Sequence, residues 1–197
     1  MIKKREVAPG ILVYDDVIQD FKTLAKDIEE GMEAARVGWK DAFVKDYSGV
    51  VINKKIRDVE QISIEKIEPG LANPIKESFY NTLFGIFQDN FSIIENDYRL
   101  FYNVETNWHD TYQVLKYGKD QHFSNHVDDS PTYHRRVSTL YYLNDDYLGG
   151  EINFPRFNLS IKPLANQMII FPSTYVYNHS VSPVTEGTRY CVVSWMR

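Results

Sequence analysis

Apolar residues recur at three- and four-residue spacing in two stretches of the first half of the chain. The first stretch covers residues 17–32, and its period predicts an amphipathic helix that begins at the possible capping residues Asp15-Asp16. The second stretch begins at Asn73-Pro74, a capping residue followed by a proline at the first helical position, and its apolar stripe continues through residues 75–87. Two helices are therefore predicted, while residues 39–70 show no clear period.

From about residue 98 the pattern changes to short β-branched and aromatic runs separated by turn-forming residues, which is typical of an all-β unit. The predicted strands are Arg99–Thr106, Thr111–Tyr117, Val137–Leu143, Glu151–Pro155, Leu159–Ile161, Gln167–Phe171, Asn178–Pro183 and Arg189–Trp195. Eight short strands favour a double-sheet jelly roll. We predict a mainly β fold with flanking helices, a double-stranded β-helix (jelly roll) buttressed by N-terminal α-helices. It would form a single domain, residues 1–197, with a helical support region at 1–97 and a jelly-roll core at 98–197.

Composition and charge narrow the class of protein. The 197 residues are 43% hydrophobic, which is enough to build the core of one domain. The formal net charge of −5 has the wrong sign for a protein that wraps phosphate backbones, so no nucleic-acid partner is expected. The sequence contains no run of 18 apolar residues, so no membrane partner is expected. Cys191 is the only cysteine, which excludes an intrachain disulfide and suits a cytoplasmic location; we interpret it as a small core residue.

Three side chains can form a metal site. His126 and Asp128 are two positions apart, so on a strand both would point to the same face. His179 lies in a later strand-like segment that sheet pairing could bring close to them. Two histidines and one carboxylate on one face form a facial triad, which suits Fe(II) and leaves coordination positions open. A His-x-Asp tripeptide alone is a weak signal, because such residues on a surface loop usually face water.

Arg189 is the second candidate for chemistry. It precedes a run of strand-forming residues that is expected to be buried, where an unpaired guanidinium would be costly. A carboxylate ligand would match the planar fork of its guanidinium. A structural salt bridge to one of the 27 acidic residues is the alternative.

Four linked segments follow one another in the second half. They are Tyr112–Gly118, which ends in Tyr-Gly; His126-Val127-Asp128; Tyr141–Asp145 with Gly149–Glu151; and His179-Ser180-Val181 followed by Thr188-Arg189-Tyr190 and Trp195. In order and spacing they resemble the catalytic core of the prolyl 4-hydroxylase family of Fe(II)/2-oxoglutarate oxygenases, over residues from about 112 to 195. The joint match is specific, although each segment alone could be accidental.

The resemblance implies a dioxygenase that uses Fe(II), 2-oxoglutarate and O₂, with ascorbate as a further candidate cofactor. By that resemblance His126, Asp128 and His179 are the catalytic iron ligands. Arg189 and Tyr142 would bind the distal carboxylate of 2-oxoglutarate, and Tyr117 would line its pocket. The implied reaction is hydroxylation of an unactivated C–H bond of a prolyl residue in a peptide or protein substrate, with release of succinate and CO₂. Lysyl residues and free amino acids remain open, because nothing in the sequence selects between them.

Other interpretations also remain open. A non-catalytic jelly-roll binding module would keep the fold without the chemistry, and a zinc hydrolase with the same ligands would need a general base, for which the sequence offers no clear candidate. Halogenases of this fold lack the carboxylate, whereas Asp128 is present, and demethylases of nucleic acids carry a second arginine that residues 190–195 lack. Loop 129–136 is expected to border the site, whereas Gly149-Gly150 is interpreted as a turn. The sequence indicates no oligomeric state and no specific role for residues 1–97.

Overall fold

The computed structural model describes residues 3–46, 49–130 and 134–197. Its helices are α1 (Leu24–Ala35) and α2 (Pro74–Tyr102), with 3₁₀ turns at Pro155–Phe157 and Tyr175–Tyr177. The strands are β1 (Lys4–Ala8), β2 (Ile11–Tyr14), β3 (Lys40–Asp41), β4 (Val44–Asp46), β5 (Gly49–Val51), β6 (Arg57–Asp58), β7 (Glu60–Ile64), β8 (Tyr112–Tyr117), β9 (His122–His126), β10 (Val137–Tyr142), β11 (Leu148–Gly149), β12 (Ile152–Phe154), β13 (Leu159–Ile161), β14 (Met168–Pro172), β15 (His179–Val181), β16 (Val184–Glu186) and β17 (Arg189–Met196). None of these helices is both long and apolar enough to cross a membrane.

Two antiparallel sheets form the body of the protein. The large sheet has the order β1-β2-β14-β10-β17-β8-β7-β3, and the small sheet has the order β13-β12-β15-β9-β6. Alternation along each strand separates two apolar cores. In β10, for example, Tyr141 packs in a core beneath α1 and α2, whereas Tyr142 packs in the core between the sheets. The predicted jelly roll with supporting helices is confirmed.

Helix α2 starts where the sequence predicted. The side chain of Asn73 accepts a hydrogen bond from the amide of Lys76 at 2.9 Å, and Pro74 occupies the first turn. The helix does not stop near residue 87, because its buried face continues to Tyr98. The predicted strand Arg99–Thr106 is therefore wrong: its first four residues are helical, and Asn103 ends the helix in the left-handed conformation.

Helix α1 begins later than predicted. Its N-cap is Thr23, and Asp15-Asp16 do not cap it. Asp16 adopts a positive φ of 57° two residues beyond the end of β2. Val17 and Ile18 are buried in a turn segment, in which the amide of Ile18 donates to the side chain of Asn166 at 2.8 Å. Val17 and Ile18 therefore share the apolar spacing of α1 because they pack in the same core, although they are not helical.

The first half also contributes strands. β1, β2, β3 and β7 extend the large sheet, and β6 pairs with β9 in the small one. The division into a helical region at 1–97 and a β core at 98–197 needs correction for this reason, and also because residue 97 lies inside α2. Strands as short as β3 and β6, with two residues each, are too brief to show a two-residue period in the sequence.

Candidate metal centre and carboxylate pocket

The pairing of β9 with β15 brings the two candidate histidines together. His126 is the last residue of β9, His179 is the first of β15, and the two are partners across the pair. Asp128 lies just beyond the end of β9, so it is placed by the loop and not by strand alternation as the sequence suggested. One ligand atom from each residue can be chosen so that all three lie within 4.8 Å of one another. The three predicted metal ligands therefore form one cluster.

Each histidine is oriented by a backbone carbonyl. Nδ1 of His126 lies 2.9 Å from the carbonyl oxygen of Ser124, and Nδ1 of His179 lies 3.1 Å from that of Tyr177. Because a carbonyl only accepts, Nδ1 carries the proton in both rings. Nε2 is then the free lone pair, and it lies 3.4 Å from Oδ1 of Asp128 for His126 and 3.8 Å from Oδ2 for His179. This tautomer is the one that a metal ligand requires.

The charge state of the cluster also suits a cation. Burial would raise the pKa of Asp128, but the imidazoles of His179 and His126 and a hydrogen bond from Ser138 outweigh it and hold the pKa below its ordinary value. Burial and the neighbouring His126 lower the pKa of His179 to about 4. At neutral pH the carboxylate is ionised and the His179 imidazole is neutral, which is the form that binds a divalent ion.

Arg189 is fully buried, and it carries three guanidinium nitrogens without a hydrogen-bond partner among the described residues. Its Cζ lies 4.6 Å from the ring centre of Tyr117 and 5.0 Å from that of Tyr142, so it contacts these rings by their faces. Within the described chain no acidic side chain forms an ion pair with Arg189, and the structural salt bridge is therefore not found. The buried hydroxyls of Tyr142 and Tyr147 also lack a partner there. An anion with several acceptor oxygens would satisfy these groups together.

The three metal-capable side chains and Arg189 border the same interior region between the two sheets. Tyr117, Tyr142 and Arg189 lie on β8, β10 and β17 of the large sheet, and the two tyrosines face the core between the sheets. His179 comes from the small sheet, and its ring centre lies 5.7 Å from that of Phe154 and 4.8 Å from that of Phe171, which belong to that core. A ligand held by Arg189 can therefore extend through this interior towards the three metal-capable groups.

Gly150 and Tyr147 complete the surroundings of Arg189, and sequence reasoning assigned neither to the site. Gly150 has a φ of +66°, and a Cβ atom there would lie 3.0 Å from Cδ of Arg189 and 3.0 Å from Cε2 of Tyr147. The interpretation of the glycine pair as a turn needs correction, because Gly149 is the last residue of strand β11, although it also has positive φ. The close approach to Arg189 gives Gly150 a second reason to be glycine.

Ser138 and Ser173 are the other residues that sequence reasoning missed. The hydroxyl of Ser138 donates to Oδ2 of Asp128 at 2.6 Å, and it lies 2.8 Å from the hydroxyl of Ser173. Both serines are buried. Ser138 could have been suspected, because it is one of two adjacent polar residues, with Thr139, inside a predicted strand of otherwise apolar and aromatic residues.

The described part of the predicted loop 129–136 borders a cleft of about 530 Å³. Residues 131–133 of that loop lie outside the described part of the chain. Asp129, which follows the predicted ligand Asp128, lines the cleft together with Arg135 and Arg136. One residue that lines the cleft is therefore the direct neighbour of Asp128 in the sequence.

The second half of the chain matches a known family. Residues 112–197 match the sequence model of the 2OG-Fe(II) oxygenase superfamily, and this stretch contains every site residue predicted from the sequence. The model matches the same part of the chain as the resemblance predicted from the sequence, so that resemblance is confirmed.

Solved structures of prolyl hydroxylases share the fold. A prolyl-4-hydroxylase from Pseudomonas putida superposes with a TM-score of 0.68 at 18% identity, covering 95% of this chain and 92% of that one. The viral collagen prolyl hydroxylase of Paramecium bursaria Chlorella virus-1, in a 2OG complex, gives 0.63 at 20% identity, covering 98% and 99%. A Trichoplax adhaerens prolyl hydroxylase, in complex with a hypoxia inducible factor peptide fragment, gives 0.64 at 20% identity, covering 95% and 83%.

Among curated proteins the similarity is local. A stretch of 66 residues is 41% identical to human prolyl 3-hydroxylase 2, and the same values hold for the rat protein. The match covers 31% of this chain and 9% of the human protein, so the chain spans less than a tenth of that relative's length.

Proposed function

We propose that the protein is an Fe(II)- and 2-oxoglutarate-dependent dioxygenase that hydroxylates a prolyl residue of a peptide or protein. The single observation that carries this proposal is the buried guanidinium of Arg189, which has no hydrogen-bond partner among the described residues and lies in the interior that also receives His179. A non-catalytic module needs neither a buried cation without a partner nor three convergent metal-capable groups. A 2-oxo acid cosubstrate requires a cationic group that binds its carboxylate and a metal site nearby. Arg189 and the three metal-capable groups would supply both.

The residues present fit both groups. His126, Asp128 and His179 offer two imidazole nitrogens and one carboxylate oxygen, the donor set that suits non-haem Fe(II). Arg189 would hold the distal carboxylate of 2-oxoglutarate, and the hydroxyl of Tyr142 would donate to the same group. When bound, Fe(II), 2-oxoglutarate and O₂ supply the oxidation of a C–H bond, with succinate and CO₂ as coproducts.

The chain's own contribution is to bind, orient and exclude water. The buried rings of Tyr117 and Tyr142 enclose the guanidinium in a low-dielectric interior, where a charge-assisted hydrogen bond to a carboxylate is strong. Ser138 fixes the carboxylate of Asp128 through its 2.6 Å hydrogen bond. These contacts orient the ligand groups before substrate arrives, which is the usual role of the protein when a cofactor carries the chemistry.

A peptide substrate is supported by the cleft and by the relatives. The cleft of about 530 Å³ is lined by Asp129 and Arg136, which offer acceptors and donors for a peptide main chain. Structures that share the fold include prolyl hydroxylases, and one of these is in complex with a peptide fragment. Since the curated relatives are prolyl 3-hydroxylases and the solved ones include a prolyl 4-hydroxylase, the carbon that is oxidised must be measured.

The test is hydroxylation of proline-containing peptides by purified protein with Fe(II), 2-oxoglutarate and ascorbate. Mass spectrometry should show the gain of one oxygen atom per peptide, matched by one succinate, and amino-acid analysis would separate 3- from 4-hydroxyproline. Peptides with alanine or lysine in place of proline, and free proline, are the substrate controls. Asp128→Ala should abolish the reaction, whereas Asp20→Ala, at an exposed carboxylate before α1, should not. Oxygen gained by the lysine peptide alone would contradict the prolyl assignment, and succinate formed equally by Asp128→Ala would contradict the whole proposal.

A further inference from the structure

The imidazole of His126 is stacked on an aromatic ring. The ring centre of Phe123 lies 3.5 Å from that of His126, with only 12° between the two planes. Both residues are on β9, and Phe123 is also the backbone partner of Arg57 on the edge strand β6. Contact at this distance limits rotation of the imidazole about its side-chain torsions, because tilting the ring would force it against Phe123.

The ring of Phe123 also contacts a cation, the guanidinium of Arg57. Cζ of Arg57 lies 4.9 Å from the ring centre of Phe123, and an Nη1–H of Arg57 donates to the carbonyl oxygen of Phe43 at 3.1 Å. No acidic residue of the described chain forms an ion pair with Arg57, and its Nε is buried without a partner. Burial lowers the pKa of Arg57, and the nearby Tyr117 and Asp128 offset this effect only in part. The ring of Phe123 is the aromatic surface that the guanidinium contacts.

Residues 56–57 are also connected to His126 through backbone hydrogen bonds. The amide of Ser124 donates to the carbonyl oxygen of Ile56 at 2.7 Å, and the carbonyl oxygen of Ser124 receives Nδ1–H of His126 at 2.9 Å. Residues 56–57 thus reach the imidazole in two ways, by hydrogen bonds at Nδ1 and by stacking on its face. The hydrogen bonds fix the tautomer, and the stack fixes the plane of the ring.

We propose that Arg57 is a positioning residue for the metal centre. It holds Phe123 by a cation–π contact, and Phe123 holds the plane of His126 so that Nε2 faces the ion shared with Asp128 and His179. The inference rests on the proposed function for the existence of the metal site. It adds a contribution from the first half of the chain, to which the sequence assigned no role.

The test uses Co(II), because its visible absorption reports binding and coordination geometry without cosubstrate or turnover. Arg57→Met and Phe123→Leu should each weaken Co(II) binding by roughly tenfold and change the shape of the visible band, as loss of a residue behind a ligand commonly does. The double variant should bind no more weakly than the weaker single variant, because both substitutions break one chain of contacts. Arg57→Lys, which keeps the charge, should recover part of the affinity. Lys54→Met, which removes an exposed cation three positions away, should bind Co(II) like the unmodified protein.

The outcomes separate this inference from the proposed function. Unmodified protein that binds no Co(II) overturns both. If the unmodified protein binds Co(II) and folded Arg57→Met binds it equally well, with the same band, only the role of Arg57 is overturned. Effects of Arg57→Met and Phe123→Leu that multiply in the double variant would also overturn it, since the two residues would then act separately. Circular dichroism shows whether Arg57→Met folds, and if it does not, folded Phe123→Leu that binds Co(II) like the unmodified protein, with the same band, overturns the inference.

Discussion

His126 and His179 face each other across β9 and β15, with their ring centres 4.2 Å apart. Residues so distant in the chain meet because antiparallel pairing sets the register of the two strands. A shift of one position would turn the imidazole of either residue to the opposite face of the small sheet. The approach of these two metal-capable side chains is therefore set by strand register. The interactions that orient them can be tested directly.

Ser138→Ala should weaken metal binding without unfolding the protein. The substitution removes the 2.6 Å hydrogen bond to Oδ2 of Asp128, and loss of such a partner commonly costs about tenfold to a hundredfold in metal affinity. Anaerobic titration with Fe(II) would measure the change. Ser160→Ala, at an exposed position on β13, is the control and should bind as the unmodified protein does. Equal affinity in Ser138→Ala would show that Asp128 does not need this support.

Tyr142→Phe should separate cosubstrate binding from stability. The buried hydroxyl of Tyr142 has no partner in the described chain, so its removal should leave the free energy of unfolding unchanged or slightly increased. The KM for 2-oxoglutarate should rise by about tenfold, because one donor to the carboxylate is lost. Tyr98→Phe should do the reverse, since its hydroxyl donates to the carbonyl oxygen of Gly10 at 2.8 Å: stability falls by about 1 kcal/mol and KM does not change. A KM for Tyr142→Phe equal to that of the unmodified enzyme would remove Tyr142 from the pocket.

Gly150→Ala should displace Arg189. The new methyl group would lie 3.0 Å from Cδ of Arg189 at a backbone position with positive φ, so we expect a loss of about 1–2 kcal/mol in stability and weaker 2-oxoglutarate binding. Metal affinity should stay within about twofold, since none of the three ligands is touched. Gly85→Ala, inside α2 with open space around it, should instead stabilise by about 0.5–1 kcal/mol. Isothermal titration calorimetry and urea unfolding would measure both quantities, and unchanged cosubstrate affinity in Gly150→Ala would contradict the packing argument.

His109 should make stability depend on pH. Burial alone would lower its pKa, but the hydrogen bond and charge of Glu95, at 3.0 Å, outweigh burial and raise the pKa above 6.5. A raised pKa means that the folded state binds the proton more tightly than the unfolded state. The contribution of His109 is therefore fully present below pH 6.5, and it is lost as the pH rises through the pKa of the folded state. Urea unfolding at pH 6 and pH 9 should show a smaller loss of stability on raising the pH for His109→Gln than for the unmodified protein. Identical pH dependence in His109→Gln and in the unmodified protein would refute the assignment.

The sequence predicted the residue types of the site better than the limits of the elements. His126, Asp128, His179 and Arg189 could be found because metal ligands and a buried arginine carry specific chemistry at characteristic positions. The end of α2 could not be placed, because the aromatic residues around Tyr98 and Tyr102 suit a strand as well as a helix when only local propensity is considered. These residues are helical in the structure because they pack as part of α2 against the large sheet.

The supporting residues show where sequence reasoning stops. Tyr147 lies in a turn-like stretch, and nothing in its neighbourhood indicated that its hydroxyl would be buried near Arg189. Arg57 lies in a two-residue strand within the stretch that showed no period. Both residues gain their roles from contacts between elements that are far apart in the chain, and such contacts leave no periodic pattern in the sequence.

The most direct test of the proposed function is anaerobic titration of the metal-free protein with Fe(II) and 2-oxoglutarate, followed by visible absorption. Bidentate chelation of Fe(II) by the 2-oxo acid gives a weak charge-transfer band, and we predict this band for the unmodified protein and for the exposed-site controls Asp20→Ala and Arg156→Ala. The band should be absent in Asp128→Ala and weakened in Arg189→Ala. A folded, unmodified protein that gives no such band would contradict the oxygenase assignment and leave a jelly-roll binding module as the account of this chain.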